Sequence, residues 1–371
     1  MLDDLRVQLD SIDTQILDLL ARRRDLVEEV TKTKIKKRIP VYVADRETDK
    51  IRSFREASMA RGLDAEWAED FLRMIMSASR ANQSQSSFPS STKLPKTILL
   101  VGGGGGMGRL YKKMATQSGH EVRVLDRDDW GNGKTLLSGA HAVIITVPIH
   151  QTESVIEKIG SMMESHQILA DFTSLKSAYL DLMLQYHDGP VVGLHPMHGP
   201  DVPNLSKQLM VVCEGRKANE ADWLIQQFGL WGMRIKKTDP ELHDRAMHLV
   251  QGLRHFVALL HASFMNRHDM NPEDMLDFSS PIYRAELMMT GRIFAQDPWL
   301  YADIVFSDEE RLALLQDFAE HHSDLANMVK KGDKEAFVRE FKEAATFFGT
   351  FAEKALTESG YLINRLADRF G

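Results

Sequence analysis

The sequence predicts a multi-domain chain in which an all-α segment, an α/β segment and a second all-α segment follow one another. Three observations predict this. Leu2, Leu5, Leu9, Ile12, Ile16 and Leu19 keep a three-four spacing that resumes at Leu26, Val27 and Val30, which is the period of a helix. After residue 96 short apolar runs such as TILLV and AVIITV alternate with helical stretches near 107–118 and 151–164, the pattern of a parallel α/β sheet. From about Asp239 the strand signal fades, and 241–371 reads as helical, with breaks at Pro272, Pro281 and Pro298.

Each element has its own signal. No Gly or Pro precedes Pro40, so the first helix runs over about 2–38. At 1.5 Å per residue it would be roughly 50 Å long. That is too long for a compact domain of this size and implies a partner helix, hence a dimer. A second helix covers about 46–61, with Gly62 as its stop, and a third follows the N-cap Asp64 to about Gln83. Residues 82–96, NQSQSSFPSSTKLPK, have no apolar period and read as a linker. Strands are expected at 97–101, 121–125, 142–147, 168–172, 190–194, 209–213 and 233–237. The expected domains are therefore 1–83, 97–240 and 241–371, with 84–96 as the linker.

Composition narrows the function. The chain has 371 residues, enough for two or three domains, and a net charge of −7 excludes a broad basic face for nucleic acid. An anionic ligand must then be met by a few local Arg and Lys side chains. With Cys213 as the one cysteine, neither an intrachain disulfide nor a Cys-based zinc site can form. Cys213 is expected to be a strand residue without a catalytic role. The start, MLDDLRVQLD, has no signal-peptide character, and no run approaches the roughly 18 apolar residues of a membrane span. A cytoplasmic setting is expected.

The strand at 97–101 leads into GGGGGMG, whose register Gly103-x-Gly105-x-x-Gly108 suits a tight turn under a pyrophosphate at a helix N-terminus. The following strand ends at Asp126, placed to grip a ribose 2′-hydroxyl and to repel a 2′-phosphate. This favours NAD over NADP, although Arg127 beside it softens the preference. Gly103, Gly105, Met107, Gly108 and Asp126 are the candidate cofactor residues. His195, in GLHPMHGP, is expected at the carboxyl edge of a strand, where a near-neutral imidazole suits a general base. A buried structural histidine and a metal ligand are the other readings of it. His198 has no acidic or Cys partner at a metal-binding spacing, so no metal is expected. In the first helix Arg23 interrupts the apolar stripe, and Lys34 stands only about 20° round the helix from it. Arg6 is about 100° away from Arg23 and should point elsewhere.

The segments VGGGGGMGRL, VVGLHPMHGPD and SSPIYRAELMMTGRIFAQDPWLYADI resemble prephenate dehydrogenase, and LARRRDLVEEV with PVYVADRE resembles an all-helical chorismate mutase. Over essentially the whole chain the order resembles the bifunctional chorismate mutase/prephenate dehydrogenases of tyrosine biosynthesis. The resemblance implies a three-helix mutase forming an intertwined dimer, a Rossmann-type NAD-binding domain and an all-α C-terminal dimerisation domain. Chorismate would rearrange to prephenate, which NAD would oxidise and decarboxylate to 4-hydroxyphenylpyruvate. By the same resemblance His195 takes the proton of the ring 4-hydroxyl, Ser174 lies near that hydroxyl, Arg292 holds the ring carboxylate, and His243 belongs to the substrate site. In the mutase Arg23 and Arg46 bind carboxylates, Lys34 and Gln83 face the ether oxygen, and Glu47 contacts the hydroxyl. Asp45 and Ser79 match other site positions, and Arg6 would come from the partner subunit. The roles of Arg284 and His255 stay open between substrate contact and helix capping. His198 stands where an aromatic such as Phe is expected, so it adds a titratable ring near His195. Homodimers and feedback inhibition by tyrosine are further implications. An alternative reading is a monofunctional prephenate or arogenate dehydrogenase whose helical N-terminal segment only dimerises or senses a ligand.

Overall fold

The computed structural model describes residues 1–83 and 87–370. The chain divides into two compact units, Met1–His243 and Asp244–Gly371. The first opens with α1 (Leu2–Lys37), a 36-residue helix closed by Arg38 in the left-handed conformation. Then follow α2 (Ala44–Met59) and α3 (Ala65–Gln83). Asp64 caps α3 as expected, its carboxylate accepting the Trp67 N–H at 2.7 Å. Thr31 is the one buried residue of α1. Its apolar stripe is open in the single chain: Leu9 is 59% exposed, Ile12 52% and Leu19 64%.

The sheet has seven strands: β1 (Thr97–Val101), β2 (Glu121–Leu125), β3 (Ala142–Ile145), β4 (Ile168–Asp171), β5 (Val191–Pro196), β6 (Leu209–Glu214) and β7 (Arg234–Lys237). Their spatial order is β2-β1-β3-β4-β5-β6-β7. The helices of this region are α4 (Gly106–Gln117), α5 (Gly133–Leu137), α6 (Ile149–Gly160), α7 (Ser177–Tyr186) and α8 (Asp222–Leu230). β1 to β5 are parallel, as the alternation predicts. The expectation of a parallel sheet fails for the last two strands, because β6 runs antiparallel to β5 and β7 follows β6. Parallel neighbours need a crossover, usually helical. Residues 197–208 contain no helix and turn the chain straight back, whereas α8 supplies the crossover from β6 to β7.

The central strands are covered on both faces, which explains their unbroken apolar runs. Ile98 and Leu100 pack with Ile144, Phe228 and Trp231, while Leu99 and Val101 pack with Val143, Ile156 and Met183. Cys213 is fully buried in β6. The stretch read as a linker is irregular over 87–96 but fastened. Phe88 is buried in the first of these clusters, and Gln227 accepts the Ser91 N–H at 2.9 Å and donates to the Pro89 carbonyl at 3.0 Å. Residues 84–86 of that stretch lie outside the described residues.

The helix α9 (Pro240–Met247) ends the first unit and begins the second, which continues through a π-helical turn (His248–Leu253) into α10 (Arg254–Arg267). It goes on through α11 (Pro272–Asp277), α12 (Pro281–Phe294), α13 (Pro298–Val305), α14 (Glu309–Lys331), α15 (Lys334–Phe348) and α16 (Thr350–Phe370). Pro272, Pro281 and Pro298, read as breaks, each open a helix after a side-chain cap from Asn271, Ser280 or Asp297. Proline has no N–H to lose at that position. Among the described residues no helix is long and apolar enough to cross a membrane.

Candidate active sites

In the helical segment Arg23, Lys34, Arg46, Glu47, Ser79 and Gln83 line one cavity of about 430 Å³. Five cations (Arg23, Lys34, Arg46, Lys50, Arg80) face two carboxylates, Glu47 and Asp49. Arg23 is fixed by the Ser79 hydroxyl at 2.7 Å, and Ser79 in turn donates to the Ile75 carbonyl at 2.8 Å. Lys34 donates to the Val41 carbonyl at 2.7 Å. Burial first, and then Arg46 nearby, push the Lys34 ammonium below its ordinary pKa, and burial lowers Arg23. A clustered excess of cations, two of them (Arg23 and Lys34) partly desolvated, suits a small dianion. Asp45, although expected at the site, is exposed on the first turn of α2 and does not line this cavity. Arg6 lies 17 residues before Arg23, about 25 Å along α1, and pairs with Asp3. Sequence reasoning missed Arg80, which holds Glu47 at 2.8 Å. No pattern marked it, since a charged residue on α3 reads as solvated until Glu47 is placed beside it.

The second site forms where β1 and β3 part, the switch point of the sheet. Gly102 turns there with φ +81. α4 begins at Gly106 after the N-cap Gly105, with no side-chain cap. A Cβ on Gly108 would stand 2.5 Å from Gly103 Cα, so the turn admits only glycine there. Asp126, just past β2, accepts the Gly104 N–H at 3.2 Å and forms a capping box with Asp129. An uncapped helix start, a glycine cradle and an acid at the second strand's end fit a dinucleotide pyrophosphate and its ribose. Met107 is half-buried in the first turn of α4.

His195 lies in β5 and is 3% exposed. Its Nδ1 is 2.9 Å from His243 Nε2, with the rings 76° apart. Beneath it Lys176 donates to the Leu194 carbonyl at 2.9 Å and pairs with Asp171, and both of these side chains are fully buried. Asp171 also accepts the Thr173 N–H at 2.9 Å, which shapes the turn carrying Ser174. Because Asp171 pairs in register with Gly193, Ser174 and His195 stand on neighbouring strand ends. His198 lies parallel to Tyr111, with its Nε2 3.2 Å from the Tyr111 hydroxyl. Burial lowers its pKa, so it fills the aromatic position as a neutral ring.

In the second unit Arg292 is exposed on the last turn of α12. Arg284 donates to the Leu276 carbonyl at 3.1 Å, a capping contact for the end of α11. His255 stacks edge-on with Tyr301 at 4.8 Å, and burial, followed by Arg254 and Arg311, lowers its pKa to about 4.

Fold and sites together define an enzyme that joins a helical, cationic active-site domain to a nucleotide-dependent dehydrogenase. Residues 5–84 match the family Chorismate mutase type II, 110–229 match Prephenate dehydrogenase, nucleotide-binding domain, and 239–343 match Prephenate dehydrogenase, dimerization domain. The T-protein of Enterobacter agglomerans is 41% identical over 98% of this chain and 97% of its own length. The T-protein of Haemophilus influenzae is 36% identical over 99% and 97%. Among solved structures, prephenate dehydrogenase from A. aeolicus in complex with hydroxyphenyl propionate and NAD+ is 18% identical and covers 69% of this chain and 98% of its own. It has a TM-score of 0.55, a likeness of fold. The chain belongs to the T-protein family of bifunctional chorismate mutase/prephenate dehydrogenases.

Proposed function

We propose that the 430 Å³ cavity is the chorismate site and that His195 is the base of the dehydrogenase. The observation that carries the first assignment is the convergence of Arg23, Lys34, Arg46, Glu47 and Gln83 on that cavity. A pericyclic rearrangement needs no nucleophile. It needs the dianion held in its compact shape and charge on the breaking ether oxygen stabilised. Arg23 and Arg46 take the carboxylates, Lys34 and Gln83 donate to the ether oxygen, Glu47 accepts the hydroxyl, and Ser79 steadies Arg23. Arg6 reaches this cavity from a second copy of the chain. The open stripe of α1 supports a homodimer in which that copy covers it. Asp45 has no assigned contact.

In the dehydrogenase the reaction calls for one tautomer of His195, which its 2.9 Å contact with His243 accommodates. With Nδ1–H donated to His243 Nε2, the Nε2 lone pair accepts the proton of the prephenate 4-hydroxyl. Ser174 orients that hydroxyl and Arg292 binds the ring carboxylate. Bound NAD supplies the acceptor for the hydride leaving the same ring carbon. Gly103, Gly105, Met107 and Gly108 cradle its phosphates, and Asp126 holds the ribose and sets the preference over NADP. Loss of the proton and the hydride turns the 4-hydroxyl into a carbonyl. The carbon–carboxylate bond then breaks, its electron pair makes the ring aromatic and leaves that oxygen a phenolate, which takes a proton back to give 4-hydroxyphenylpyruvate as carbon dioxide departs. Tyrosine acts as a feedback inhibitor by overlapping the prephenate site, and the enzyme works in the cytoplasm. Incubation with chorismate and NAD, following chorismate loss and NADH gain together, tests the whole reading. NADH should appear after a lag. Chorismate loss without NADH would refute the dehydrogenase assignment, and NADH from added prephenate but none from chorismate would refute the mutase.

A further inference from the structure

The chorismate cavity touches the sheet domain at three points. The Lys34 ammonium donates to the Val41 carbonyl, and the Val41 N–H donates at 3.2 Å to Leu230, which ends α8. Tyr42, which lines the cavity, packs its Cβ position 3.0 Å from where a Cβ on Gly232 would stand. The third point is Glu47. Arg80 donates to its Oε2, and Lys207, from the turn between β5 and β6, donates to its Oε1.

The Glu47–Lys207 pair has the marks of a built contact. The Glu47 side chain is 11% exposed. Lys207 N–H is anchored on the Gly232 carbonyl at 2.8 Å, and its ammonium lies 5.0 Å from the centre of the Tyr42 ring. Lys207 has φ 68, a left-handed conformation in which glycine would be less strained. Glu47 shares its cavity with Arg23, Lys34 and Arg46. An untethered carboxylate there would fold onto those cations and offset the charge that a dianion requires. With one oxygen on Arg80 and the other on Lys207, it is held away from them while still accepting a hydroxyl proton.

We propose that Lys207 is a positioning residue of the chorismate mutase, contributed by the dehydrogenase domain and acting through Glu47. This rests on the reading of Glu47 as a substrate contact. The test is steady-state kinetics of both activities in the full-length protein carrying Lys207→Met, Lys207→Arg, Lys207→Gly, Glu47→Gln and the double change Glu47→Gln/Lys207→Met. Lys207→Met should raise the mutase KM for chorismate about tenfold with kcat changed less than about twofold, and Lys207→Arg should restore it. Prephenate oxidation should stay within about twofold throughout, which separates the effect from misfolding. Lys207→Gly removes the backbone strain, so it should melt no lower than the parent while showing the same rise in KM. The double variant should be no worse than Glu47→Gln alone. Independent, multiplying losses from the two single changes would overturn the proposal while leaving Glu47 in the site. A Glu47→Gln enzyme with normal mutase kinetics would overturn the reading of Glu47 itself.

Discussion

Replacing Gly108 by alanine should silence one activity and leave the other intact. The added Cβ would lie 2.5 Å from Gly103 Cα, 2.7 Å from Gly103 O and 2.8 Å from Gly102 O. All three are backbone atoms of the glycine turn proposed to hold the phosphates, so no rotamer change relieves the clash. The turn must withdraw by roughly 1 Å, a strain of about 1–3 kcal/mol. A misplacement of that size at a binding cradle costs about a hundredfold in rate. The assay is kcat/KM for NAD with saturating prephenate, beside a direct NAD titration and a mutase assay on the same preparation. We expect the first to fall about a hundredfold, NAD binding to weaken in step, and the mutase to stay within about twofold, since its proposed cavity is lined by α1–α3 and residues 41–43 and not by the glycine turn. Gly104→Ala is the internal comparison. Its Cβ would be nearest to the Asp126 carboxylate, with Oδ2 at 2.6 Å, and that side chain can swing away. The loss should be smaller and should appear as a weaker preference for NAD over NADP. Normal NAD saturation in Gly108→Ala would mean that the nucleotide does not lie on this turn.

Three further outcomes are expected. His195→Asn should abolish NADH production from prephenate and spare chorismate turnover, and near-normal NADH production would remove His195 as the base. The alkaline limb of mutase kcat/KM should lie below the ordinary lysine range of about 10.4, because Lys34 must be charged and its pKa is depressed. The limb should vanish in Lys34→Met, and a limb surviving in that variant would assign it elsewhere. His255, with a folded pKa of about 4 against an ordinary 6.5, binds its proton in the unfolded chain first. It therefore contributes stability that is present above pH 6.5 and lost as pH falls towards 4. Melting curves across that window should be flatter in His255→Gln, and an unchanged slope would count against it.

Much of this molecule was legible in its residues, for identifiable reasons. β1 falls where its apolar run places it, because a buried central strand must be apolar on both faces and glycine punctuates it, and the edge strand β2 falls where Val122 and Val124 alternate with polar residues. The direction of β6 was not legible, since it depends on the absence of a helix in a 12-residue turn (197–208) and no hydrophobic period marks that. The cationic set on α1 could be read because Arg23 and Lys34 interrupt an apolar stripe on one face. Arg80 and Lys207 could not. A charged residue on a helix or turn looks like any solvated one until its partner is known, and Lys207 meets Glu47 across 160 positions. His198 reads in sequence as a titratable ring in an aromatic's place, and in the structure it lies nearly parallel to Tyr111, where burial lowers its pKa.

The open stripe of α1 also fixes an order of assembly. A helix of 36 residues with Thr31 its only buried member has little to hold it until other surfaces arrive. α3 is made some 30 residues later on the same chain, and in the proposed homodimer the rest of the stripe waits for a second chain. In a homodimer the mutase half therefore matures by a step second-order in chain concentration, whereas the seven-stranded sheet closes within one chain. On that proposal a newly made or strongly diluted chain would have its nucleotide turn before it has a complete mutase.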